Sequence, residues 1–374
     1  MAWVPGDVFH PDLFAQTRKM ILASGLFQST TLTLAEQANE KGLWEVKIAL
    51  SNRPRRTISG GVGYDSDQGV TLQGRWEHHN FFGAAQHLQT RGEFFPSGVR
   101  LFAGMDIPHL KHPKRSTRLE LGYEHEESPA FVQSTISTGV GIIFPGWYDS
   151  QTSLGVRWHS TYLEEASSGE IGKFGLLSLP VQMILDRSDD PLNPQTGWKA
   201  TLGVTPKTEL HGSEMLFTNF FLHSTRYFTP SPSSGWTLAG RGSISWIWDN
   251  LGNGIPATEL LYAGGSGSVR GFGLQMANEL DTSDDPLGGL SKLEFSAEVR
   301  KQFNDSLGAA LFVDAGRAYS ESIPNLDHPF FSSVGTGFRY MTPMGPLRLD
   351  VAVPFNRRPQ DDRFQIYLGI GQAF

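Results

Sequence analysis

The chain has 374 residues, with 42 glycines, 22 prolines, no cysteine and a formal net charge of -7 at pH 7. The mild acidity gives no reason to expect a nucleic-acid partner, and the missing cysteines exclude thiolate catalysis and thiolate metal sites. No stretch approaches the roughly eighteen apolar residues of a membrane-spanning helix, whereas a membrane β-barrel stays open, because its alternating strands carry a weak hydropathy signal.

Met1 to Asp12 lacks the basic start and apolar run of a secretory signal, so a mature or trimmed chain, or a cytosolic one, is expected. Residues 1–53 differ from all that follows. Pro11 to Ala23 sets Leu13, Phe14, Thr17, Met20 and Ile21 at three- and four-residue spacings, which predicts an amphipathic helix closed by Ser24-Gly25. Strand-like runs follow at Thr30–Leu34 and Leu43–Leu50, the second placing Trp44, Val46, Ile48 and Leu50 on one side. A helix and two strands are too little to bury a full core alone, so a piece of this first domain is expected to lie upstream.

From residue 54 the chain turns into short alternating segments separated by turn chemistry. Strands are predicted at 56–64, 69–79, 84–95, 98–107, 115–126, 131–144, 148–162, 174–186, 196–206, 214–229, 235–249, 290–303, 306–314, 331–340, 346–354 and 363–374. Most are near or above the ~9–11 residues that a tilted strand needs to cross a bilayer. Polar, often long connections such as 163–173, 250–289 and 315–329 alternate with short turns such as 80–83, 145–146, 304–305 and 342–345. That asymmetry is the pattern of an outer-membrane barrel, and an even strand count puts both barrel ends on the short-turn side, with residues 1–53. The last segment sets Phe364, Ile366, Leu368, Ile370 and Phe374 on one face, interrupted by Gln372. A soluble sandwich would alternate in the same way. Tryptophans and tyrosines near the strand ends, among them Trp76, Trp147, Tyr148, Trp236 and Trp248, suit interfacial girdles and favour lipid. The fold class expected is therefore all-β: a sixteen-stranded antiparallel transmembrane barrel over 54–374, preceded by a small α+β domain over 1–53.

Strand parity then sorts the charges. With Leu293, Phe295, Ala297 and Val299 facing lipid, Glu294, Ser296, Glu298 and Arg300 turn inward, and with Leu311 and Val313 outward, Phe312 and Asp314 turn inward. A charge on lipid costs several kcal/mol at mid-membrane, which nearly forces this choice. The tetrapeptide Val269-Arg270-Gly271-Phe272 lies in the long loop 250–289, and an Arg-Gly-Phe sequence taken alone is ordinarily a surface turn. If the loop folds back into the lumen, Arg270 meets Glu298 or Asp314 and latches the loop to the wall by a directional guanidinium–carboxylate pair.

The run Leu260–Phe272 resembles the sixth-loop signature of the BamA/TamA superfamily of outer-membrane protein assembly factors. Further segments agree in order and spacing: Asp186–Trp198, Gly288–Arg300, Phe312–Gly316 and Gly335–Asp350. The resemblance covers nearly the whole chain and leans toward the TamA-like members. Residues 1–53 resemble the end of a polypeptide-transport-associated (POTRA) domain, with Ala23–Phe27 and the strand ending at Leu50 in place; the domain's first strand and helix have no counterpart. The resemblance implies an outer-membrane location with the N-terminal domain in the periplasm, and a weak seam where the first and last strands meet. It implies assembly of β-barrel proteins or autotransporters through that seam without covalent chemistry or cofactor, beside a TamB-like partner anchored in the inner membrane. Positions matching the seam are Thr57–Tyr64 and Phe364–Phe374, including Ser59, Gly60, Gly61, Gly63, Gly369, Gly371 and Phe374. The glycines weaken strand pairing there or serve barrel curvature. A cross-link between Ser59 and Gly369 is the corresponding lock, if the register allows it.

Other signals are weaker. His78-His79 and His109-Leu110-Lys111-His112 have spacings that a metal could use, but they are read as solvated basic turns without nearby carboxylates, and no metal site is expected. Asp65, Asp67 and the cluster Asp186, Asp189, Asp190 lack a twelve-residue calcium loop. No nucleophile elbow stands out, so an enzyme is not expected. The competing functions are a central BamA-type insertase, a two-partner secretion transporter, and, from another class, a passive porin or structural barrel.

Overall fold

A computed structural model describes residues 2–66, 68–109, 112–210, 215–252, 254–343 and 345–374. Asp67, Leu110, Lys111, Asn253, Met344 and the first residue of the segment read at 214–229 lie outside the described residues.

Helix α1 (Pro11–Ala23) occupies the span that its spacing predicts. The His10 side chain accepts from the Asp12 N–H at its start, and at its end the Ser24 hydroxyl donates to Ile21 O at 2.6 Å before Gly25 turns left-handed. Strands β1 (Phe27–Ala38) and β2 (Trp44–Asn52) form a separate two-stranded sheet, with Thr30 opposite Leu50 and Leu34 opposite Val46. Strand β1 outruns its predicted run at both ends and β2 reaches Asn52, where it pairs with Phe27; between them the Asn39 side chain accepts from the Lys41 and Leu43 N–H groups and makes a tight turn.

The rest closes into one antiparallel barrel. Its segments are β3 (Arg56–Asp65), β4 (Gly69–His78), β5 (His87–Phe95), β6 (Gly98–His109), β7 (His112–Glu127), β8 (Phe131–Pro145), β9 (Gln151–Glu165), β10 (Ile171–Ser178), β11 (Val181–Asp186), β12 (Gly197–Glu209), β13 (Leu216–Phe228), β14 (Trp236–Asp249), β15 (Ser291–Gln302), β16 (Leu307–Tyr319), β17 (Phe331–Thr342), β18 (Gly345–Pro354) and β19 (Gln365–Ile370). Segments β10 and β11 are one stave, since both pair with β9 and β12. The break falls at Leu179-Pro180, where proline has no N–H for the ladder. Sixteen staves result.

The barrel is apolar outside and polar within. Leu311 and Val313 are exposed while Phe312 and Asp314 are buried; Phe295 and Val299 are exposed while Glu294, Ser296, Glu298 and Arg300 are buried. A water-soluble core would invert this order, so the outer band faces lipid. The long loop between β14 and β15 folds into the loop-side mouth. There Ala257, Ile255, Leu261 and Tyr262 pack against Phe131, Leu163, Leu176, Phe217 and Ile247 of the wall.

Strand β9 runs to Glu165 and β10 starts at Ile171, which shortens the loop expected at 163–173, and two further segments depart from the sequence reading. Strand β16 continues past residue 314 to Tyr319, shortening the loop expected at 315–329. Strand β19 stops at Ile370, because Gly371, at φ 91°, turns the chain into the lumen. There Gln372 donates to Asn193 at 2.9 Å, Arg300 donates to the Phe374 carbonyl at 3.0 Å, and the Phe374 ring lies 5.5 Å from both the Arg241 and Arg300 guanidinium carbons. Phe374, expected on the lipid face and in the seam, belongs to neither. Two cations and the turn at 192–193 hold the tail inside.

Candidate functional site: a loop latch beside a short seam

The tetrapeptide 269–272 reaches the inner wall. Val269 and Phe272 are fully buried, Phe272 meeting Phe331 edge-to-face at 5.3 Å. Gly271 sits at φ 98°, where a Cβ would press on Ser333 and Ala352 at 3.0 and 3.4 Å, so both backbone conformation and close approach call for glycine. Between them Arg270 is 2% exposed.

The Arg270 guanidinium grips Asp314 with two bonds, Nε to Oδ2 at 2.7 Å and Nη2 to Oδ1 at 3.0 Å. Its Nη1 donates to Glu298 at 3.2 Å and to Asp350 at 3.0 Å, and its backbone N–H donates to Asp314 at 3.2 Å. The guanidinium carbon lies 3.4 Å from the Phe312 ring centre, a cation–π contact on the face left free of hydrogen bonds. The fork thus ties the loop to β15, β16 and β18 at once. Forked, charge-assisted bonds fix orientation as well as energy, which suits a latch.

The carboxylates are shared. Glu298 also accepts from Arg300 at 2.8 Å and Arg339 at 3.4 Å, and Asp350 from Arg339 at 2.5 Å, with Arg348 at 3.7 Å. Three acids therefore face four guanidiniums. Asp350 and Arg339 were missing from the sequence-derived set, although period-two counting along 331–340 and 346–354 points both inward. Gly337 leaves the space they use, since a Cβ there would overlap both side chains.

More of the loop is held at its flanks. Arg241 donates to the Gly267 and Ser268 carbonyls at 2.7 and 2.6 Å, and Glu294 accepts from Ser268 and Ser243. Arg358 binds the Met276 and Asn278 carbonyls, Arg317 binds Glu279, and Glu259 binds Lys207 and His159.

The seam lies next to this latch. Among the described residues, strand β19 meets β3 through two register pairs, Tyr367 opposite Asp65 and Leu368 opposite Tyr64, extended by the Ser66 N–H donating to Ile366 O at 3.0 Å and the Ile366 N–H donating to the Ser66 hydroxyl at 2.6 Å. By contrast β3 pairs with β4 along its full length, from Arg56–His78 to Asp65–Gly69. Gly63 and Gly369 fall one step beyond the last pair, Gly61 and Gly371 three steps, and Ser59 and Gly60 further still toward the unpaired end. The register therefore rules out Ser59 opposite Gly369. Latch and seam share one residue: the Gly271 N–H donates to the Tyr367 hydroxyl at 2.9 Å, and Tyr367 lies opposite Asp350 in the β18–β19 ladder.

The metal reading also changes. Glu77, His79 and His87 place ligand atoms close together at the turn-side mouth, so His79 does have a carboxylate beside it.

Fold and site define a transmembrane β-barrel whose lumen is occupied by a latched loop. The Omp85 superfamily domain matches residues 80–374, and the chain belongs to that superfamily of bacterial outer-membrane assembly and secretion barrels. It is 21% identical over 97% of its length to the outer membrane protein assembly factor BamA of Nitratidesulfovibrio vulgaris, of which it spans 48%. Among solved structures, BamA from Haemophilus ducreyi lacking POTRA domains 1-3 superposes with a TM-score of 0.82 at 17% identity, covering 98% of this chain and 80% of that one. CdiB from Acinetobacter baumannii superposes at 0.62 and 12% identity, covering 98% and 69%.

Proposed function

We propose that this chain assembles β-barrel proteins or autotransporters in the outer membrane, presenting the edges of β3 and β19 to a client strand. The observation that carries this reading is the shared Tyr367: the strand with the shortest pairing in the barrel is also touched by the latch loop. When the two seam pairs part, β3 and β19 expose unpaired N–H and C=O groups that lipid cannot satisfy. An incoming client strand satisfies them by β-augmentation, and its own pairing and burial supply the driving force without nucleotide or covalent chemistry.

In this reading α1, β1 and β2 are the end of a POTRA domain on the periplasmic side, and the motif pattern supports TamA-type work on autotransporters with a TamB-like partner. A central insertase or a two-partner secretion transporter uses the same barrel. Secretion through the lumen requires Arg270 to leave its three carboxylates and the loop to vacate the mouth.

Capture of a client during assembly tests the proposal. A photoreactive residue at Tyr64 or Leu368, both lipid-facing at the seam, should cross-link to the terminal strands of a client barrel. The same probe at Leu222, on a fully paired wall strand, should not. Equal capture at Leu222, or none at the seam, would refute it.

A further inference from the structure

The geometry points to a divalent transition-metal site formed by Glu77, His79 and His87 at the turn-side mouth of the lumen, with zinc the ion that its donors match best. One ring nitrogen from each histidine and one Glu77 oxygen all lie within 4.8 Å of one another. Ladder register brings them together. Glu77 is opposite Gln89 and His78 opposite Leu88 in the β4–β5 hairpin, which sets His79 against His87, and Glu77 shares the inward face two residues earlier. The two imidazoles lie parallel, 5.0 Å apart.

A second observation marks the place as unfinished. His87 Nε2 is buried and has no hydrogen-bond partner among the described residues, with Glu77 Oε1 3.6 Å away. A buried polar atom without a partner is costly and uncommon. The opposite ring nitrogen faces Asp106 at 4.0 Å, directly across the next ladder, where Arg118 fixes the carboxylate with two bonds of 2.7 and 2.8 Å. At that distance the carboxylate makes no hydrogen bond, but it stands where closing by about 1 Å would let it orient a metal-binding imidazole from behind. His79 is steadied at Nε2 by Thr57 Oγ1, 3.1 Å away, which leaves Nδ1 for the ion. Burial and the facing His87 ring push the His79 pKa below its usual value.

Two imidazoles and one carboxylate form a zinc set with room for water as a fourth ligand, whereas calcium demands six to eight oxygens. Arg75, 3.3 Å from Glu77 Oε1, is the cation that the metal displaces. The cavity of about 440 Å³ around the three residues is also walled by Ser24, Gly25 and Arg53, so an ion there sits between the β4–β5 hairpin and the N-terminal module.

Calorimetric titration of the full chain, untagged and in detergent, with zinc chloride should give a single saturable binding event. The double variant His79→Asn/His87→Asn should lose that event while keeping the folded barrel's mobility on unheated gels, and Asp106→Asn should weaken it about 10–100-fold. Calcium should give no such event. Zinc uptake by the double variant equal to that of the wild type, or no saturable uptake by the wild type, would overturn the site.

Discussion

Replacing Arg270 with alanine should undock the long loop while leaving the barrel standing. The damage falls unevenly. Glu298 keeps Arg300 and Arg339, and Asp350 keeps Arg339 and Arg348, but Asp314 loses its only guanidinium and is left with the Ser296 hydroxyl at 2.5 Å and the backbone N–H of residue 270. Breaking a buried ion pair by removing one partner costs about 3–5 kcal/mol, mostly because the surviving charge stays buried and uncompensated. At about 1.4 kcal/mol per factor of ten, loop opening becomes roughly a hundredfold to several thousandfold more frequent. Hydrogen exchange of the Gly271 and Ala277 amides, which donate to Tyr367 and Ala263, reads that opening directly. Their exchange should accelerate by about that factor, while the β7–β8 wall stays protected. The double variant Arg270→Ala/Asp314→Ala removes the stranded charge and should be less damaging than Arg270→Ala alone. Unchanged protection in Arg270→Ala, or losses in the double variant that simply add, would refute the latch.

Other outcomes follow from neighbouring contacts. Tyr367→Phe leaves the Gly271 N–H buried without its acceptor and should cost about 1–3 kcal/mol, visible as faster exchange in both the loop and β19. Gly271→Ala adds a Cβ at φ 98° against Ser333 and should destabilise loop docking, measured by protease sensitivity of 262–278. Leu311→Lys puts a charge on the outer face and should cost about 2–4 kcal/mol if the residue is at mid-membrane, read from urea-induced unfolding in lipid vesicles.

What the sequence disclosed, and what it hid, follows one physical division. Side-chain parity is local, so the alternation in 290–303 and 306–314 was enough to turn Glu298, Arg300 and Asp314 inward. Asp350 and Arg339 obey the same rule, but nothing in a single strand says that their level in the barrel coincides with that of Arg270. Register is a relation between strands. The pairing of β3 with β19 joins residues some 300 positions apart, and a shift of four residues separates the observed seam from one with Ser59 opposite Gly369. The inward turn at Gly371 is likewise set by partners elsewhere, Asn193 and Arg300, and so Phe374 looked like one more lipid-facing aromatic. His79 gained its neighbours by hairpin geometry across a turn, which spacing along the chain does not reveal. The seam is a product of the barrel's closure, the inner acidic triad of register across β15 to β18, and the zinc-like cluster of the β4–β5 hairpin.

The central claim is that the β3–β19 seam must open for a client to assemble. Cysteines at Gly63 and Gly369, one step beyond the Tyr64–Leu368 pair, face the lumen together, and a Cβ at either meets nothing nearer than 3.6 Å. Oxidised in proteoliposomes, the Gly63→Cys/Gly369→Cys variant should lose assembly of a client barrel and recover it on reduction, with each single variant active throughout. Full assembly with the cross-link closed would contradict the account.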